Sequence, residues 1–128
     1  MTDRALERGR RVLKDLNPDL ERILSEYYDD LLPEFSETLV EFAYGRLYAR
    51  GVVDMKTRQL ATVAALTALG GQTGPQLKVN IEHALKTGAD GRELAEIIMQ
   101  MSVYGGMPAT INALNGLKEV LEQKRQDQ

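Results

Sequence analysis

Few side chains in this sequence are equipped to do chemistry. His83 is the single histidine and the one side chain with an ordinary pKa near neutrality, so it is the candidate general acid or base. Asn80 lies three residues earlier and projects near the same helix face. Gln76 precedes Asn80 by four. Arg58 is able to clamp a carboxylate bidentately. Tyr104 brings a phenol to a joint, Val103-Tyr104-Gly105-Gly106-Met107-Pro108, and Asn112 and Asn115 follow it. His83 and Tyr104 are the candidate catalytic residues, and Asn80, Gln76, Arg58 and Asn112 the candidate substrate-binding ones.

Each of these residues also has a plainer reading. A histidine near a helix end is often a favourable charge against the helix dipole. Arg58 is placed to pair with Asp54, four residues back. Tyr104 suits a core whose phenol needs one partner. Asn80 suits a buried hydrogen-bonding role. Gly105-Gly106 reads first as a helix stop and second as a close backbone approach to a ligand.

Composition removes other chemistries. There is no cysteine, so disulfides, thiol nucleophiles and thiolate metal sites are excluded together. One histidine cannot build a His-rich metal site, and neither metal nor cofactor is expected. The net charge is −3 and the pI is about 5.2, which disfavours nucleic acid. Arg4, Arg8 and Arg11 form a basic strip, with Arg10, Lys14 and Arg22 beside it. Asp3, Glu7 and Asp15 dilute it, so it reads as a solvated face, a subunit contact or an anion funnel.

The 128 residues predict one domain over 1–128. The charged start, with no apolar stretch, predicts no secretory leader and hence a cytoplasmic protein. Gln59 to Leu77 is a long uncharged stretch, but its Gln, Thr, Gly and Pro argue for a buried helix and loop, not a membrane span.

The elements that must position these residues are helical almost throughout, an all-α domain of six or seven helices. Ala5, Leu6, Gly9, Val12, Leu13 and Leu16 form a first stripe, stopped at Asn17-Pro18. Leu20 to Leu31 forms a second. Pro33 suits the first turn of a third helix, with Phe35, Leu39, Phe42, Ala43 and Leu47 on one side and Tyr44 and Tyr48 on another. Asp54 is placed to cap a fourth helix, which is small and apolar all round until Gly70-Gly71, with Gly74-Pro75 continuing the turn. Lys78 to Lys86 forms a fifth, stopped by Gly88. Asp90-Gly91-Arg92-Glu93 reads as a capping box for a sixth, with Leu94, Ile97, Ile98, Met101 and Tyr104 inward. Pro108 opens the last, with Ile111, Leu114, Leu117, Val120 and Leu121 as its stripe. The polar tail, 122–128, is expected to fray.

With the joints placed, the pattern resembles the carboxymuconolactone decarboxylase family, which includes the alkylhydroperoxidase-D-like proteins. Leu6-Glu7-Arg8-Gly9-Arg10 resembles its N-terminal segment. Pro33-Glu34-Phe35, then Glu41-Phe42-Ala43-Tyr44-Gly45, resemble its third helix. Lys56-Thr57-Arg58-Gln59-Leu60 leads into its small-residue helix. Leu77-Lys78-Val79, Ala84-Leu85 and Gly88 match the next helix, and Val103 to Ala109 closes the match.

The resemblance implies two chemistries. One is thiol peroxidase activity through Cys-x-x-Cys, a histidine and an upstream glutamate; here those positions fall on Thr73, Gln76, Asn80 and Gln59. Threonine and glutamine form neither thiolate nor disulfide, so this activity is disfavoured. The other is decarboxylation of a small carboxylated lactone or related acid. There the family places a carboxylate near Gln76 and a histidine at Asn80, so the acid/base set is partly substituted and His83 is the available replacement. A non-catalytic or ligand-binding oligomer on the same scaffold is the alternative. The resemblance also implies a homohexamer built as a trimer of dimers. Apolar surface beyond a small monomer's need points to self-association.

Overall fold

The computed structural model describes residues 4–128. Met1-Thr2-Asp3, part of the charged start from which no leader is expected, lies outside them, as does the diluting charge of Asp3. The described residues form helices and no strand, so the all-α expectation holds. Among them no helix is long and apolar enough to cross a membrane. Their contacts gather into two compact units, up to Asp54 and from Met55 onward.

In the first unit, α1 (Ala5–Leu16) and α2 (Leu20–Tyr28) precede α3 (Phe35–Leu39), which runs on as a π-helical segment (Val40–Tyr48). Helix α1 lies against that segment. Glycine makes the approach possible, because a methyl group at Gly9 or Gly45 would collide with the backbone oxygen of Val40 or Ala5. Leu13, Leu16, Val40 and Tyr44 form the small core. The Arg8 Nε donates to the Gly45 carbonyl at 3.1 Å. That carbonyl's i→i+5 donor would be Arg50, whose N–H bonds Leu47 O instead.

Two sequence expectations are corrected here. The third helix begins at Phe35, after Glu34 at φ 69°, so Pro33 lies outside it. The Asp29 carboxylate fixes this start by accepting from Ser36 N at 2.9 Å and Ser36 Oγ at 2.7 Å. Those bonds, the backbone one foremost, hold its pKa below the usual carboxylate range. The buried face is Ser36, Val40, Tyr44 and Gly45, while Phe42 and Leu47 are exposed. A π-helix turns more slowly per residue than an α-helix, so a 3.6-residue stripe misassigns its inner side.

In the second unit, α4 (Met55–Leu69) and α5 (Gly74–Lys86) are joined by a 3₁₀ turn (Gly71–Thr73). There follow α6 (Gly91–Gln100), the short α7 (Ser102–Gly105) and α8 (Met107–Gln126). The core is aliphatic: Val63, Leu77, Ile81, Ala84, Leu94, Ile98, Leu117 and Val120 are buried together. Helix α4 buries Gln59, Val63 and Thr67 along one side, and its Ala61 and Ala65 are exposed.

The stops fall where the sequence places them. Gly70, Gly88 and Gly106 hold φ of 101°, 110° and 92°, which only glycine adopts without strain. Asp90 and Glu93 form the reciprocal capping box, and Glu93 also pairs with Lys56 at 3.0 Å. Helix α5 starts earlier than its apolar stripe indicates: Gly74-Pro75 opens it and does not prolong the turn, since proline is preorganised for a first helical turn. Tyr104 is 76% exposed, not inward, because the chain leaves α6 at Gln100 and re-aims in α7. Beyond Leu121, α8 is exposed.

Candidate functional site

Helix α5 carries most of the expected chemistry. Gln76 is exposed in its first turn and Asn80 is half-buried one turn on. The Asn80 amide donates to Gln76 O at 2.8 Å, which commits one of its two N–H donors to its own helix. His83 follows, at 1% exposure. Burial, and then the Lys86 charge, lower its pKa to about 4. At neutral pH the ring is an uncharged core side chain, which neither complements the helix dipole nor supplies an imidazolium proton.

Thr73 closes the turn before α5. Its hydroxyl lies 2.6 Å from Leu66 O and 2.9 Å from Gly70 O. That hydroxyl staples the turn to α4.

Around this turn lies a cavity of about 30 Å³, whose lining includes Thr67, Gly70, Gly71, Gly74, Ala109 and Asn112. Every residue that lines it is uncharged. The Asn112 Nδ2 faces the turn, 3.6 Å from where a methyl group on Gly71 would sit. Asn112 is exposed, and its side chain joins no hydrogen bond among the described residues.

The structure thus brings Asn112 to the glycine turn, while Asn80 bonds the Gln76 backbone and neither of these two lines the cavity. It does not gather the remaining candidates there either. Arg58 is half-buried near the start of α4, roughly 18 Å along that helix from Gly70 by helix rise, and its carbonyl accepts from Thr62 at 3.0 Å. Tyr104 stands on α7 beside Val103, which is 78% exposed. Among the described residues, no three His, Asp or Glu side chains gather as a metal site would require.

Two features escape a reading of periodicity. Gln59 is fully buried, its Nε2 reaches only Met55 Sδ at 3.5 Å, and its Oε1 has no partner. The cavity is the other. Its signal in the sequence is Gly70, Gly71 and Gly74 within five residues, more glycine than one helix stop requires.

The described residues thus give an all-helical scaffold with a glycine turn and a Gly-Gly-x-Pro joint. The chain belongs to the carboxymuconolactone decarboxylase family, which it matches over residues 33–119. It is 34% identical over 122 residues to an uncharacterized 15.0 kDa protein of Paracoccus denitrificans, covering 95% of this chain and 91% of that one. It is 30% identical over 109 residues to 4-carboxymuconolactone decarboxylase of Acinetobacter baylyi, covering 85% and 76%. It is 26% identical over 118 residues to nitrosuccinic acid decarboxylase of Metarhizium robertsii, covering 87% and 77%.

Proposed function

We propose that this protein is a carboxy-lyase for a small organic acid, of the carboxymuconolactone type or a related acid, working without a thiol and without a charged histidine. One observation carries the reading: the polar groups that line the cavity at the glycine turn are all uncharged. Decarboxylation converts an anionic carboxylate to neutral CO2. A neutral surrounding penalises the starting charge more than the delocalised transition state. Both relatives with named activities are decarboxylases.

The substrate's own electron-withdrawing group accepts the electron pair, so the protein need only bind, orient and exclude water. In this reading Asn112, Asn80 and Gln76 supply amide contacts. His83 holds the core rather than the reacting proton.

Self-association belongs to the same reading, as a homohexamer. It is supported by the uncovered apolar side chains of Val103, Tyr104, Met107 and Ile111, which would place Tyr104 at a contact between copies. A second reading, a ligand-binding oligomer without turnover, is favoured by the burial of His83 together with Asn80 at the family's histidine position. Purified protein offered 4-carboxymuconolactone and nitrosuccinic acid separates the two. Loss of substrate above the uncatalysed rate supports the lyase. Saturable binding with no loss supports the alternative.

A further inference from the structure

We propose that α2 carries a docking surface for a second copy of this chain, and that it seats head-to-tail on the α7–α8 joint of that copy. This contact rests on the self-association reading above and names the surface that meets Val103, Tyr104, Met107 and Ile111.

Its first support is that α2 is uncovered. None of its nine residues is buried. Ile23, Tyr27 and Leu31 nevertheless succeed one another at four-residue spacing, and all three are exposed, Tyr27 at 75% and Leu31 at 85%. A helix this short does not hold in water on its own propensity. Polar bonds anchor it instead. Glu21 accepts from Arg10 of α1 at 2.9 and 2.8 Å, and Asp29, just past α2, accepts from Ser36. These bonds fix the helix to the first unit and leave its apolar side chains uncovered.

The second support is that the surface is aromatic and already packed. The rings of Tyr27 and Tyr28 lie 5.7 Å apart, and those of Tyr28 and Phe35 5.3 Å apart. Side chains that lean on one another have less freedom to lose on binding, and tyrosine is enriched among residues that carry contact energy.

The third support is charge, which selects the opposing surface. From Asp19 to Glu41 the chain holds eight carboxylates and one cation, Arg22. Two copies meeting through this same face would bring those carboxylates together, and like charges oppose such a contact. The acidic rim equally opposes an anionic membrane surface. No charged residue occurs from Ile97 to Leu117, the stretch that holds the exposed Val103, Tyr104, Met107 and Ile111. There the carboxylate rim meets no like charge. A contact between two different surfaces is heterologous, and its repetition builds a ring where the rotation closes.

The test mixes two variants. Tyr27→Glu with Leu31→Glu removes one side of the contact, and Val103→Glu with Tyr104→Glu removes the other. By light scattering the wild type should be a multiple of 14.3 kDa, and each variant alone should fall to the 14.3 kDa of one chain. An equimolar mixture should form pairs of twice that mass, because each variant keeps the side the other lacks and no ring closes. A mixture that stays at single-chain mass overturns the contact, as does an α2 variant of wild-type mass. A monomeric wild type removes the self-association reading as well, so the two failures are distinct. The chain has no tryptophan, so Leu31→Trp adds one reporter without adding charge. Its emission should lie at shorter wavelength in the assembled protein than in folded protein that also carries Val103→Glu and Tyr104→Glu. Equal emission in the two overturns the contact, even where the α2 glutamate variant fails to fold.

Discussion

At the residue scale, His83 ties stability to acidity. Its folded pKa of about 4 lies below the ordinary 6.5. The unfolded chain therefore takes up the proton first as pH falls. The contribution is complete above about pH 6.5, is lost progressively down to about pH 4, and is level below that, with a total of about 3 kcal/mol. Urea unfolding at stepped pH should show this slope, and His83→Gln should flatten it. Equal slopes in both proteins would contradict the buried, neutral ring. Gln59 gives a second prediction. Its buried Oε1 has no partner, and leucine there removes the unsatisfied group, so Gln59→Leu should raise stability by about 1–2 kcal/mol in the same assay. The sequence showed that His83 and Asn80 share a helix side but not how deep each lies. Depth is set by α4 and α8 packing around α5, which periodicity does not encode.

At the element scale, the close approach of α7 to α4 leaves no room for a side chain at Gly105. A methyl group at Gly105 would stand 2.8 Å from Ala68 Cα and 2.9 Å from Ala68 O. Both belong to the α4 backbone, so neither yields like a side chain, and Gly105→Ala should lose about 1–3 kcal/mol. A thermal melt of the variant beside the wild type checks this loss. The close approach at Gly105 is thus to α4 itself, while Gly106 supplies the helix stop. Asp90→Ala should cost about 1 kcal/mol through loss of the capping box. Signals contained in a few consecutive residues were legible: the Asp90–Glu93 box, the stops at Gly88 and Gly106, and Pro108 at the start of α8. The π-helical segment was not, because its close approach to α1 pairs Gly9 with Gly45 across 36 positions, and no local pattern records that pairing.

At the scale of the whole molecule, the family was legible because its joints lie in order along the chain. The cavity was not, because it forms only when the turn, α5 and α8 meet. Apolar side chains left uncovered at Val103, Tyr104, Met107 and Ile111 predict an assembly. Light scattering should return a multiple of the 14.3 kDa chain mass, and Val103→Glu combined with Tyr104→Glu should shift it toward single chains. A monomeric wild type at micromolar concentration would contradict this. The central claim is loss of CO2 from a small acid, and trapped CO2 measures it most directly. Wild-type protein incubated with 4-carboxymuconolactone or nitrosuccinic acid should release one CO2 for each molecule of one of these acids consumed, at a rate proportional to protein concentration. Release no faster than in buffer, from folded protein with either acid, would contradict it.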